Sequence, residues 1–313
     1  MHDTLPPRLS ILVGKGGVGR STLSAALGIV SARRGLRTTI VELATHPVIP
    51  GLFGVAAAGY SPVALLPGLS SLRITWEEAL REYGLMKLRF LAMFRLVFDN
   101  PFMRHLLPAI PGVAEILVMG KVIHLASTQG RGAEAEHVIL DGPATGHAIS
   151  LLRAPTVVAR SFAAGPLAED AARLRDFLRD PARSRVHLVA TPEEMPVSEA
   201  LELHERLTVD AGMPMGEVFL NGMVLSGLDP SSRSAIRHVA SSRHGEKSLA
   251  AAACAALFLS ERHDAQRVHL VRLRRDGGEP VVPLPSVPEG AVPRMRLEVL
   301  ADHLDAVLWR EGR

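Results

Sequence analysis

The stretch Gly14-Lys15-Gly16-Gly17-Val18-Gly19-Arg20-Ser21-Thr22 follows directly on the apolar run Ile11-Leu12-Val13. Strand, glycine-rich turn and helix start, in that order, are the setting of a phosphate-binding loop. Glycines let successive backbone N–H groups turn inward around a phosphate, and the N-terminus of the following helix adds partial positive charge. Every residue from Gly14 to Thr22 is therefore a candidate phosphate contact. One position departs from the pattern G-x-x-x-x-G-K-[ST], which puts lysine before the hydroxyl: here Arg20 stands there. Lysine offers the β- and γ-phosphates a compact point charge, whereas arginine is a longer planar fork with little space in a tight loop.

Two further stretches carry chemistry at strand ends. In Val138-Ile139-Leu140-Asp141-Gly142-Pro143-Ala144-Thr145-Gly146-His147 the aspartate leaves a buried strand. A carboxylate in that place, beside a phosphate loop, holds a magnesium shell, usually through water. Ser21 and Asp141 are the candidate magnesium residues. Asn221 leaves the apolar run Val218-Phe219-Leu220, and its amide can meet both a donor and an acceptor on an adenine edge. A plain turn residue is the alternative reading of Asn221. Pro283 and Leu284, on a later proline-rich stretch, are candidates to wall the ring.

The elements that must position these groups alternate between short apolar strands and helical stretches, which favours a parallel sheet covered on both faces. Strands are expected at Leu9–Val13, Thr38–Leu43, Ser71–Thr75, Val138–Asp141, Val186–Ala190, Glu217–Leu220 and Val268–Leu273. Helices are expected at Ser21–Arg34, Val197 to about Ala211, Ser231 to about Arg262 with a break near Gly245, and Arg294–Trp309; Pro280–Pro288 reads as a loop. The fold class is α/β, a doubly wound, mostly parallel sheet in one domain over 1–313, with a small helical insert at 76–130. Leucine, methionine and phenylalanine crowd that insert. Its helices either pack on the domain and a partner subunit or form an adaptable groove for a hydrophobic helix.

Composition narrows the classes. The chain has 313 residues, 47% hydrophobic and 21% charged, which supports a large core. A net charge of +3 with scattered basic residues does not favour nucleic acid as partner. The single cysteine, Cys254, excludes an internal disulfide and a cysteine-based metal site, and its Ala/Leu neighbourhood suggests an inert core thiol. No apolar window of about 20 residues is free of charge, so no integral membrane segment is expected. A strand and phosphate loop stand where a signal peptide's apolar region would be, and a cytoplasmic location is the expectation.

Lys15, in the form Lys-Gly-Gly-Val-Gly-x-[Ser/Thr], marks the deviant phosphate loop of one branch of P-loop NTPases. On this motif the sequence resembles the ArsA/Get group of anion-transporting and tail-anchored-protein-targeting ATPases, with MinD and ParA more distant. The resemblance implies a P-loop NTPase fold, ATP or ADP with Mg2+, and a face-to-face dimer in which Lys15 acts in trans on the partner's nucleotide. Asp141, Thr145, Gly146 and His147 match the group's second switch, D-x-A-P-T-G-H, with Gly142-Pro143-Ala144 altering the middle. Asn221 and the proline-rich stretch fall where the group reads adenine. The first switch departs: aligning Phe53-Gly54 with its end puts Ala44 at the aspartate that positions the attacking water. Such groups supply roughly 10²–10⁴-fold in rate, and alanine can do neither job. Glu42, two residues earlier on the same strand face, substitutes only if the loop shifts. The group's arsenite-binding cysteines and C-x-x-C zinc pair are both absent, so no zinc or metalloid site is expected. Glu193 and Glu194 are helix-start and dimer-contact candidates.

Three readings follow. The first is a degenerate subunit that binds nucleotide with impaired hydrolysis, in a homodimer or a heterodimer with an ArsA-like paralogue. The second is an active homodimeric ATPase in which Arg20 and Glu42 have taken over the altered catalytic roles. The third is a non-catalytic binder of hydrophobic membrane-protein helices through 76–125.

Overall fold

The computed structural model describes residues 6–43, 46–57, 59–87, 112–127, 135–161, 165–241, 247–287 and 293–308. In chain order the elements are β1 (Leu9–Gly14), α1 (Arg20–Arg33), β2 (Thr38–Glu42), the single turn α2 (Ile49–Leu52), β3 (Val63–Leu66), β4 (Leu69–Arg73), α3 (Trp76–Lys87) and α4 (Val113–Ser127). They continue with β5 (His137–Ala144), α5 (Thr145–Ser161), α6 (Pro166–Arg179), β6 (Ser184–Ala190), α7 (Glu194–Glu205), β7 (Met215–Met223), α8 (Pro230–Ser241), α9 (Lys247–Asp276), β8 (Val281–Pro285) and α10 (Pro293–Leu308).

The eight strands form one sheet in the order β3-β4-β2-β5-β1-β6-β7-β8. Every neighbouring pair is parallel except the β3–β4 hairpin at one edge. β1 lies between β5 and β6 and is buried along its whole length, which is why its sequence is apolar on both faces rather than alternating, apart from Ser10, which is hydrogen-bonded to His137. One face of the sheet is covered by α1 and α10, whose Leu23, Ile29, Leu297 and Leu304 pack on Ile40, Ile139 and Phe219. The other is covered by α4, α5, α6 and α7 through residues such as Met119, Leu152, Leu178 and Val197. This is the doubly wound α/β architecture that the alternation implied.

Four expectations need correction. Val268–Leu273 is the C-terminal part of α9, not a strand: only Leu273 of that stretch is buried, so no strand-like face is covered there. Val281–Pro285, expected as loop, is the edge strand β8, and two prolines are tolerated because an edge needs hydrogen bonds on one side only. β3 was not anticipated. Cys254 lies on the exposed face of α9 rather than in the core. Within 76–130, α3 and α4 occupy the flanks, while 88–111 and 128–130 fall outside the described residues. α4 is no free groove, since Ile116, Met119, Val122 and Ile123 are buried in the core. A cavity of about 500 Å3 lies between α3, α4 and α6, with Glu82, Lys121 and Asp170 on its wall.

Candidate nucleotide site

The phosphate loop leaves the C-terminal end of β1, in the crevice position where open parallel sheets hold ligands. Gly14 presses on the carbonyl of Val189 in β6, so a side chain there would collide with the neighbouring backbone. Gly19 has φ +91°, a left-handed conformation natural to glycine, and caps α1. The loop residues Gly16 and Gly17 are exposed, and the first-turn N–H groups of α1 lie at the loop's end. These features fit a phosphate: an open glycine turn running into a helix N-terminus.

Asp141 stands on β5 beside β1, paired in register with Leu12. Its carboxylate accepts a hydrogen bond from Ser21 Oγ at 2.6 Å and a longer one from Ser24 Oγ at 3.4 Å. Sequence reasoning missed Ser24; its signal was the spacing of three from Ser21, which puts both hydroxyls on one face of α1. Burial pushes the Asp141 carboxyl above its ordinary value, against the opposing pull of Ser21 and Arg20. Hydroxyl and carboxylate oxygens are the hard donors magnesium takes. The pair supplies too few ligands for a closed cage, so the remainder of an octahedral shell falls to water and phosphate. Ser21 and Asp141 thus fit a magnesium ion.

Arg20 does not point freely into the loop. Its Nη1 donates to the carbonyl of Gly142, and its guanidinium sits close enough to Asp141 to feel that charge. Burial lowers its affinity for the proton, yet arginine stays charged. Lys15 forms an ion pair with Glu199 of α7, Nζ to Oε1 at 2.6 Å, with both side chains about a third exposed. Glu199 was not anticipated, since its contact spans 184 residues of sequence.

Glu42 is almost fully buried at the end of β2. One carboxylate oxygen accepts the backbone N–H groups of Val48 and Ile49, at 2.7 and 3.1 Å, and the other accepts from Ser71. The side chain holds the start of α2, beside Asp141 on the neighbouring strand, and burial pushes its carboxyl above the ordinary value. Ala44 lies outside the described residues. Asn221 donates its amide to the carbonyl of Val18 at 2.9 Å and lies against Gly19, so it braces the phosphate loop. Leu284, expected at the pocket wall, is fully buried in the core, and the Pro283 carbonyl accepts from His303. Leu284 thus lines no opening, while Pro283 pairs in register with Leu220, next to Asn221. Glu193 precedes α7 and Glu194 opens it, ion-paired to Arg272 of α9 at 2.7 Å.

A family model described as anion-transporting ATPase matches residues 8–165, which take in the phosphate loop, Glu42 and Asp141. The chain belongs to that family. Among its relatives, the arsenical pump-driving ATPase of Acidiphilium multivorum is 27% identical over 239 residues, covering 71% of this chain and 40% of that protein. An arsenical pump-driving ATPase of Escherichia coli is 26% identical over 239 residues, again 71% of this chain and 40% of that protein. The ATPase BagA of Mycobacterium tuberculosis is 26% identical over 230 residues, 71% of this chain and 67% of its own length. This member of the anion-transporting ATPase family thus spans 40% of the length of the pump-driving relatives. Among the described residues no helix is long and apolar enough to cross a membrane.

Proposed function

We propose that this family member binds ATP with Mg2+ at Gly14–Thr22, hydrolyses it weakly or not at all, and serves as a regulatory subunit of a face-to-face dimer in the cytoplasm. Its partner is a second copy or an ArsA-like paralogue, to whose phosphates Lys15 is offered. The observation that carries this reading is the placement of Arg20: at the position of the loop lysine, its guanidinium is engaged by the Gly142 carbonyl beside Asp141. A cation already committed to the second-switch backbone is a poor replacement for a lysine that follows charge onto the β- and γ-phosphates in the transition state. The capping role of Glu42 supports the same reading, because a carboxylate holding two backbone amides has little freedom to orient water.

In this reading the loop glycines and the N-terminus of α1 hold the phosphates, and Ser21 with Asp141 hold magnesium. Magnesium bound there neutralises charge on the phosphate oxygens. Asn221 keeps the loop in its binding shape. The test separates binding from turnover. The purified chain is expected to bind a fluorescent ATP analogue in a Mg2+-dependent manner, while releasing phosphate far more slowly than a competent paralogue. Vigorous Mg2+-dependent hydrolysis by the isolated chain would overturn the proposal, and so would a failure to bind the analogue at all.

A further inference from the structure

Helix α9 is inverted for a helix on a protein surface. Its 30 residues bury only Ala253, Ser260, Gln266 and Leu273. Two of those four are polar, and both are tied to the segment leaving β7: Gln266 bonds Val224 N–H and the Gly222 carbonyl, and Ser260 accepts from Leu228 N–H. Outward instead stand Leu249, Phe258, Leu259 and Val268, with Phe258 63% and Val268 65% exposed. α8, the other arm of the hairpin, has no buried residue and leaves that outer face uncovered.

The exposed positions have a period. Ala251, Cys254, Phe258, Ala265 and Val268 are all exposed and recur at alternating steps of three and four where consecutive, the spacing of a coiled-coil seam. Lys247 and Glu261 are exposed, lie on the same stripe, and stand seven residues to either side of Cys254. That charge placement decides between orientations. Two parallel copies would set Lys247 against Lys247 and Glu261 against Glu261. Two antiparallel copies about a two-fold axis at Cys254 set Lys247 against Glu261 twice, with Ala251, Cys254 and Phe258 between them. An isologous two-fold contact of this kind needs only the one self-complementary patch.

We propose that the outer face of α9 is an interface with a second copy of this chain, paired antiparallel about Cys254. This pairing is independent of nucleotide and stands whether or not Gly14–Thr22 binds ATP. Paired about Cys254, the two helices overlap from Lys247 to Glu261, about 21 Å of helix, and a stripe about 10 Å wide covers roughly 210 Å2 per protomer, below the roughly 800 Å2 of a standard interface. The contact is therefore weak and concentration-dependent.

The single cysteine gives a direct test. Full-length chain at tens of micromolar, without nucleotide, is treated with a short bismaleimide and resolved under denaturing conditions. The expected result is a dimer joined Cys254 to Cys254. Lys247→Glu or Glu261→Lys alone should each lower its yield about fivefold or more, since each reverses two ion pairs per dimer. The two reversals combined should restore the yield, which separates lost pairing from lost folding. A chain that stays uncrosslinked, including where light scattering reports a dimer through another face, overturns the proposal. So does crosslinking indifferent to the charge reversals, or a stripe that binds phosphatidylcholine vesicles through Phe258 and leaves no crosslinked dimer.

Discussion

Asp141 joins β5 to the start of α1 through one carboxylate, and in the proposed site its state of charge decides whether a magnesium ion is held there. Burial raises its affinity for the proton, so the apo protein gains from protonated Asp141 at low pH and loses that gain as pH rises through the raised value. A magnesium ion reverses this by favouring the carboxylate. Mg2+ should therefore raise the melting temperature in the presence of ADP more at pH 7.5 than at pH 5, as proton and metal compete for one site. Asp141→Asn should remove both the Mg2+ effect and its pH dependence; an equal Mg2+ shift in that variant would take Asp141 out of the metal site. The Ser21–Asp141 pair was legible in the sequence because a helix start and a strand end are each marked by local pattern. Asn221 was legible as the residue after an apolar run and a candidate adenine reader; in the fold it lies inside β7. Its hydrogen bond to Val18 spans 203 residues, and nothing in its neighbours announces it.

Glu42 shows how an element, rather than a reaction, can own a conspicuous carboxylate. α2 is a single turn, Ile49–Leu52, and the amides of Val48 and Ile49 at its start have no helical partner, so Glu42 supplies one. Removing the acceptor leaves the buried Ile49 donor and the part-buried Val48 donor without it, and an unsatisfied buried group costs about 1–3 kcal/mol. Glu42→Ala should lower chemical-denaturation stability by about that amount and leave affinity for the nucleotide analogue little changed. If Glu42→Ala leaves stability unaltered but removes a measurable turnover, the carboxylate is a catalytic group and the active-ATPase reading gains. The elements most visible in sequence were those whose local pattern and tertiary setting agree, such as β1, a strand flanked on both sides. β8 was hidden by its prolines, which only an edge position excuses. The end of α9 was hidden by Val268, Leu270, Val271 and Leu273, apolar residues of strand type that the fold uses in a helix with one of them buried.

For the whole molecule the decisive contact is Lys15–Glu199, which ties the phosphate loop to α7, the helix packed over β6 and β1. In the dimer reading Lys15 must leave Glu199 before it can reach a partner's phosphates, so the ion pair competes with assembly. Both side chains are about a third exposed, and such pairs contribute at most about 1 kcal/mol, a factor of about 5 in an equilibrium. The pair is thus a weak restraint that a triphosphate's charge can displace, not a lock. Glu199→Gln frees Lys15 without adding charge or changing shape, and in the presence of ATP and Mg2+ it should tighten dimerisation by up to about fivefold in sedimentation velocity. Lys15→Ala should abolish that nucleotide-dependent gain in either background, because the lysine itself is then missing. The hairpin contact through α9 needs no nucleotide, so comparing the apo and ATP-bound association of Phe258→Glu with that of Lys15→Ala divides the two interfaces. Phe258→Glu should weaken the apo association, and Lys15→Ala only the increment that ATP adds. If Glu199→Gln and Lys15→Ala both leave the ATP increment at its wild-type size, Lys15 does not cross to the partner, and its pairing with Glu199 is its structural role in the monomer.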